Sequence, residues 1–125
     1  MKIVFLFLAM AALLKAEPRT ISLVGTVTNT TGEITAPASL EITQDGDKIS
    51  AKLVTAPPLS GTGVLTGRCL DGWCDLSGNL DGGFTAKFRG VLNARAFRGT
   101  YVVTPKQGQT QYGRFDFSPA PSVTK

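Results

Sequence analysis

The chain has 125 residues, with 13 Lys and Arg against 9 Asp and Glu and a net charge of +4 at pH 7. It contains no His and two Cys, which removes the commonest general base, the Ser-His-Asp and Cys-His arrangements and the ligands of most zinc sites. We therefore expect a non-catalytic protein that uses no cofactor and no metal ion.

Residues 1–16 have the pattern of a signal peptide. Lys2 supplies the positive charge, and residues 3–14 form a continuous apolar run that is too short to span a bilayer. Cleavage after Ala16 would remove two Lys and no acid, leaving 13 − 2 = 11 basic residues against 9 acids and a net charge of +2. The alternative is that the run is retained as a membrane anchor. The pattern predicts a secreted or periplasmic protein with no membrane span after cleavage.

The region from residue 20 onward alternates short apolar segments with turn residues, which is typical of an all-β domain. Apolar residues and one glycine of the same parity predict the first two strands: Ile21, Leu23, Gly25 and Val27 in strand 1, then Ala38, Leu40 and Ile42 in strand 2.

A two-residue turn is predicted at Asp45-Gly46, because this dipeptide suits a tight hairpin. That turn would pair Ile42 with Ile49 and Leu40 with Ala51. Strand 3 then runs through Leu53 and ends before the prolines at 57 and 58, which cannot continue a central ladder.

The hairpin between residues 61–70 and 73–80 turns at Asp71-Gly72, a dipeptide suited to the type I′ turn, in which both central residues have φ > 0. Its register places Cys69 opposite Cys74 at a non-hydrogen-bonded position, where Cα atoms lie roughly 4.5 Å apart. This distance suits a disulfide, which we expect in an exported protein; the alternative is a reduced pair. The same register places Arg68 opposite Asp75.

The next two connections are a three-residue loop at 81–83 and a four-residue loop at 93–96. Both choices keep the apolar residues of neighbouring strands on one face. They pair Leu80 with Phe84, Leu76 with Phe88, Leu92 with Phe97 and Phe88 with Tyr101. Strand 7 ends near Val103, residues 104–112 form a polar loop, and strand 8 carries Gly113, Phe115 and Phe117.

Eight strands with short connections leave no room for a crossover helix. They predict an eight-stranded antiparallel up-and-down β-barrel, which has no free sheet edge; the alternative is a β-sandwich. The domain organisation is then a signal peptide at 1–16, one barrel domain at 17–118 and a C-terminal tail at 119–125.

Large and small residues alternate on the predicted inner face. Its aromatic members are candidates for lining a small apolar calyx: Phe84, Phe88, Phe97, Tyr101 and Phe115. A barrel of this size has space for one small ligand or for packed side chains, and we expect one or the other rather than both. The leading functional hypothesis is the binding of a small apolar or amphipathic ligand inside the barrel.

Residues 82–115 contain six basic residues and no acid. Lys87, Arg89, Arg95 and Arg98 are predicted to lie together on the outside of strands 6 and 7 and in the loop between them. This basic face could bind an anionic surface or a protein partner; the alternative is an ordinary solvated exterior. The second functional hypothesis is therefore a surface-interaction module, such as an envelope-associated factor, an inhibitor or a polyanion binder.

The segment Gly25-Thr26-Val27-Thr28-Asn29-Thr30-Thr31-Gly32 resembles the first strand and turn of the avidin family within the calycin-type barrels. That family has Gly-Thr-Trp-x-Asn-x-x-Gly followed by Ser, and its Asn and Ser bind the ureido group of biotin. Asn29 matches the Asn, whereas Val27 replaces the Trp and Glu33 replaces the Ser. The resemblance implies an eight-stranded barrel, but biotin binding is not carried over because the chain has a single Trp.

Overall fold

The computed structural model describes residues 18–120, and the predicted signal peptide therefore lies outside the described residues. This region is all-β. The eight strands are β1 (Arg19–Asn29), β2 (Ile34–Asp45), β3 (Lys48–Thr55), β4 (Gly61–Leu70), β5 (Trp73–Leu80), β6 (Phe84–Leu92), β7 (Phe97–Thr104) and β8 (Gln111–Pro119). β8 thus ends one residue beyond the predicted domain boundary at 118.

Each strand pairs antiparallel with the next, and β8 pairs with β1 to close the sheet into a barrel. The closing register sets Val27 opposite Phe115 and Asn29 opposite Gly113. Closure leaves no unpaired edge strand in the sheet. The predicted eight-stranded up-and-down barrel is confirmed, and the sandwich alternative is wrong.

The β4–β5 hairpin has the predicted turn and register. Asp71 and Gly72 have φ of 52° and 84°, as a type I′ turn requires. Cys69 lies opposite Cys74, with the Cα atoms 4.0 Å apart and the sulfur atoms at bonding distance. A disulfide is consistent with an oxidising compartment. The registers predicted across the loops at 81–83 and 93–96 are also confirmed.

The β2–β3 hairpin differs from the prediction by two residues. Ile42 lies opposite Ala51, and Asp45 lies opposite Lys48, so the turn is Gly46-Asp47 rather than Asp45-Gly46. Gly46 has φ of 65°, which fits the first central position of a type II′ turn, where glycine is the favoured residue. A shift of two residues preserves side-chain parity, and the predicted apolar positions of both strands remain buried.

Because successive strands run in opposite directions, the connections alternate between the two ends of the barrel. The open end carries the loops at 30–33, 56–60, 81–83 and 105–110. The braced end carries the turns at 46–47 and 71–72, the loop at 93–96 and the disulfide. A continuous apolar core of side chains from all eight strands lies between the two ends.

Candidate functional site

A cavity of about 200 Å³ lies inside the barrel at the open end. Its wall is apolar towards the barrel interior, and its mouth carries uncharged polar groups. The lining residues come from six strands and the 56–60 loop: Val27, Asn29, Leu53, Thr55, Pro58, Leu59, Ser60, Leu80, Phe84, Phe88, Tyr101, Val103 and Gln111. Ser60 and Pro58 are exposed, so the cavity opens to solvent beside that loop.

Packed aromatic rings occupy the interior next to the cavity. Phe88 stacks on Tyr101, with ring centroids 5.2 Å apart and an interplanar angle of 17°. Phe88 also contacts Phe115 at 5.1 Å, and Phe115 contacts Phe97 at 4.7 Å and Phe117 at 5.9 Å. The expectation of either a cavity or a packed interior is therefore wrong, because one barrel contains both.

Three of the five aromatic residues predicted to bind a ligand line the cavity, namely Phe84, Phe88 and Tyr101. Phe97 and Phe115 are buried among other rings and do not line it. Phe115 contacts Phe88, which lines the cavity, and Phe97 packs against Phe115. The ligand-binding role of the five residues stays a prediction.

Asn29 is a buried polar residue at the cavity, with 9% of its surface exposed. Its Oδ1 accepts a hydrogen bond of 2.9 Å from the backbone N–H of Gly32, which holds the β1–β2 turn. Its Nδ2 donates a hydrogen bond to Oε1 of Gln111. The two amides join the beginning of β8 to the end of β1 at the mouth of the cavity.

The Tyr101 ring lies across β8 at the position of Gly113. A Cβ atom added to Gly113 would overlap both the Tyr101 hydroxyl oxygen and the Thr28 carbonyl oxygen. Only glycine therefore leaves space for this ring. Burial raises the pKa of Tyr101 above its ordinary value of 10.0, because a desolvated phenolate is disfavoured.

Sequence reasoning missed the polar residues of the site and most of its aliphatic wall. Gln111 fell inside the predicted loop at 104–112, and Thr55 was one residue of a strand chosen for its apolar positions. The alternation of β1 continues to Asn29, which has the inward parity of Val27. A polar residue at an inward position was the available signal for this end of the cavity.

Two of the four predicted anion-binding residues form ion pairs with acids on neighbouring strands. Arg89 Nε lies 2.7 Å from Asp75 Oδ1, and Arg98 Nε lies 2.9 Å from Asp116 Oδ1. Arg68 lies opposite Asp75, as predicted, but its Nε lies 3.6 Å from Asp47 Oδ2 instead. Carboxylates from β5 and β8 therefore reduce the positive charge of the basic face.

The remaining predicted cations, Lys87 and Arg95, form no ion pair within residues 18–120. Lys87 lies on β6 opposite Ser77 and Val102, and Arg95 lies in the 93–96 loop. Both side chains are exposed. The structure therefore places the four residues on one side of the barrel, with their charge partly balanced by Asp75 and Asp116.

An apolar patch lies outside the barrel at the braced end. Leu70 and Trp73 pair across β4 and β5, and Val91 pairs with Trp73 from β6. Their side chains are 61%, 59% and 41% exposed, respectively. The patch is separate from the cavity, which lies at the opposite end.

The described region contains no group of three or more Cys, Asp or Glu residues placed to hold a metal ion. Within the same residues, no helix is long and apolar enough to cross a membrane. Comparison of the chain with protein-family models, with curated proteins and with solved structures finds no match.

Proposed function

We propose that this protein is an exported, non-catalytic binding protein that holds one small apolar or amphipathic molecule in the cavity at the open end. The observation that carries the proposal is a cavity of about 200 Å³ with an apolar wall and an uncharged polar mouth. Apolar cavities of about 150 Å³ bind benzene. The cavity therefore suits a single-ring molecule, or the ring of a larger molecule whose remainder lies outside the mouth.

The ring of Phe88 supports this assignment because it both lines the cavity and packs against the aromatic cluster. Tyr101, which lines the cavity, packs against the Phe88 ring, and so does Phe115, which belongs to the packed aromatic cluster. A wall held in place by packed rings keeps its shape when the cavity is empty, which lowers the entropic cost of binding.

Export is part of the proposal. The pattern of residues 1–16 predicts a signal peptide, and the pair Cys69–Cys74 is consistent with an oxidising compartment. These observations together support a periplasmic or extracellular location. The resemblance of residues 25–32 to the avidin family stays a prediction.

The second hypothesis, binding of an anionic partner by the basic face, has less support from the geometry. Ion pairs with Asp75 and Asp116 lower the positive potential around Arg89 and Arg98. No charged residue lines the cavity, so no group there opposes the binding of an uncharged molecule in the way that Asp75 and Asp116 oppose the binding of an anion to the basic face. We therefore prefer the cavity, and the double variant Arg89→Glu, Arg98→Glu serves as a control in its test.

The test is a titration of ¹⁵N-labelled protein with acetophenone, a single-ring amphipathic probe, followed by NMR. We expect saturable shifts at Val27, Leu53 and Tyr101 and none at Phe117. Val103→Trp fills the cavity and should abolish the shifts. Val102→Trp adds the same ring one residue away on the outward parity of β7 and should leave binding unchanged.

The double variant Arg89→Glu, Arg98→Glu should also bind the probe normally. An absence of saturable shifts in the wild-type protein would overturn the proposal. Shifts that survive in Val103→Trp would do the same. Binding of heparin that weakens steeply with salt and disappears in the double variant, without any binding of acetophenone, would favour the basic face instead.

A further inference from the structure

The chemistry of the cavity narrows the class of ligand, on the condition that the proposed function holds. No residue that lines the cavity carries a formal charge. Removal of an ion from water without an opposite charge is costly, because the desolvation is not compensated. The group that enters the cavity is therefore uncharged.

The hydrogen bonds at the mouth determine how its two amides are oriented. The backbone N–H of Gly32 can only donate, so the atom of Asn29 that it contacts is Oδ1. Nδ2 of Asn29 consequently faces Gln111, which must present its acceptor, Oε1. This leaves Nε2 of Gln111 as a donor.

Nε2 of Gln111 donates no hydrogen bond to another group of the described chain, and Gln111 lines the cavity. Tyr101 also lines the cavity. No buried side-chain N or O atom of residues 18–120 lacks a hydrogen-bond partner, so the free donor of Gln111 contacts water at the mouth. A ligand that displaces this water without accepting a hydrogen bond from the donor would bind more weakly. The mouth thus offers unused hydrogen-bonding groups to a bound molecule.

We infer that the cavity selects an uncharged ring bearing a hydrogen-bond acceptor, such as a carbonyl oxygen, which receives a hydrogen bond from Nε2 of Gln111. The ring lies against Phe88 and Leu53, and the acceptor lies at the mouth. Gln111 is the residue that determines this specificity. Its orientation is set by Asn29, which acts as a positioning residue.

The experiment uses four single-ring probes of nearly the same shape: cumene, acetophenone, benzoate and benzamidinium. They present an apolar group, a neutral acceptor, an anion and a cation, respectively. Dissociation constants are measured by NMR titration for the wild type and Gln111→Glu. This substitution keeps the acceptor oxygen that Asn29 needs and removes the Nε2 donor. Because each probe is compared between the wild type and the variant, the hydration free energy of the probe cancels.

In the wild type, we expect acetophenone to bind and both ions to bind at least tenfold more weakly than acetophenone. Gln111→Glu should weaken acetophenone about tenfold, the effect of losing one hydrogen bond. It should leave cumene within about threefold and strengthen benzamidinium, because a carboxylate then lies at the mouth.

Gln44→Glu is the matched control, since it makes the same chemical change at the braced end, where the Gln44 amide donates to the Gly46 carbonyl oxygen. It should leave all four affinities unchanged. If Gln111→Glu unfolds the protein, Gln111→Met tests the loss of the same donor without a charge.

The possible failures are distinguishable. If acetophenone binds but is insensitive to both substitutions at Gln111, this inference is overturned and the proposed function stands. Equal binding of benzoate and acetophenone to the wild type has the same meaning. If no probe binds the wild type, the proposed function itself fails.

Discussion

The two ends of the barrel are built differently. At the braced end, a disulfide joins the neighbouring strands β4 and β5. The two-residue turns there are also hydrogen-bonded to neighbouring strands: Cys69 N–H donates to the Asp47 carbonyl and Leu92 N–H donates to the Gly72 carbonyl, both at 2.8 Å. Phe97 and Phe117 are fully buried. At the open end the loops at 56–60 and 105–110 are longer, and the interior contains a cavity.

This difference separates the most closely packed part of the core from the proposed binding cavity within one small barrel. Packed rings and a covalent bond stabilise the braced end, so the open end can leave space and hydrogen-bonding groups unfilled. A cavity lowers stability because its lining atoms lack partners. The protein can tolerate that cost only if the rest of the core is well packed, as the contacts of Phe115 with three other rings indicate.

The largest expected effect comes from truncating one phenylalanine at each end. Phe97→Ala removes a fully buried ring and should lower the free energy of unfolding by about 3–5 kcal/mol. Phe84→Ala removes a partly exposed ring at the open end and should cost only about 1–2 kcal/mol. Urea unfolding measures both. Similar losses for the two variants would contradict the distinction between the ends.

The disulfide gives the next effect. Cys69 and Cys74 are separated by five positions in the sequence, so the bond constrains a short loop, and its removal in Cys69→Ala, Cys74→Ala should cost about 2 kcal/mol. Because the bond lies far from the cavity, the affinity for acetophenone should not change in the folded variant. The variant is compared with the wild type by urea unfolding and by the NMR titration.

A loss of acetophenone binding in the folded double variant would show that the two ends are coupled. Reduction of the wild-type protein is the corresponding control. It should reproduce the destabilisation without introducing new side chains.

Burial of Tyr101 predicts a smaller effect, at high pH. Its pKa is raised in the folded protein, so above the ordinary value of 10.0 the unfolded chain releases a proton that the folded chain retains. This contribution to stability is present below pH 10 and is lost as pH rises through the folded-state pKa. Urea unfolding at a series of pH values between about 9 and 11 should show the decline.

Tyr101→Phe should remove this part of the decline. Tyr112→Phe is the control, because Tyr112 is 56% exposed on the outside of the barrel. It should follow the pH dependence of the wild type. A steeper decline in Tyr101→Phe than in the wild type would contradict a raised pKa for the buried phenol.

The smallest expected effect on the free energy of unfolding comes from a substitution on the outer surface of the barrel, which does not contribute to the core. Arg98→Glu replaces an exposed ion pair with repulsion from Asp116 and should cost less than about 1 kcal/mol. Arg114→Glu changes the net charge equally at a residue that has no ion pair within the described chain. The difference between the two variants in urea unfolding should shrink at high salt.

A large, salt-independent loss in Arg98→Glu would indicate that this pair supports the barrel wall. A loss of acetophenone binding would link the basic face to the cavity. Neither outcome is expected, because Arg98 and the cavity lie on opposite faces of the sheet.

The registers that were predicted correctly share one property: local turn chemistry and side-chain parity agree. Asp71-Gly72 adopts the φ > 0 turn that its residue types favour, and the parity of Leu80 and Phe84 specifies a three-residue loop. The β2–β3 turn was misplaced because Gly46 can begin a turn as well as end one. Parity could not correct the error, since a shift of two residues leaves every side chain on its own face.

A count of charges along the chain does not include the acids that lie beside the basic face in the barrel. No acid occurs between residues 82 and 115, yet the carboxylates that pair with Arg89 and Arg98 come from β5 and β8 on either side of that segment. Neighbours across a sheet, not neighbours in sequence, determine the local charge of a strand.

The sequence by itself determined the all-β class, the number of strands, the registers of three consecutive hairpins from β4 to β7 and the cysteine pair, because these depend on turn residues and on an alternation of period two. The tertiary structure decided which end is open, which rings pack and which polar groups meet. Asn29 and Gln111 are 82 positions apart and come together only when β8 closes against β1. No local pattern carries that contact, since packing inside a closed barrel depends on all of its strands at once.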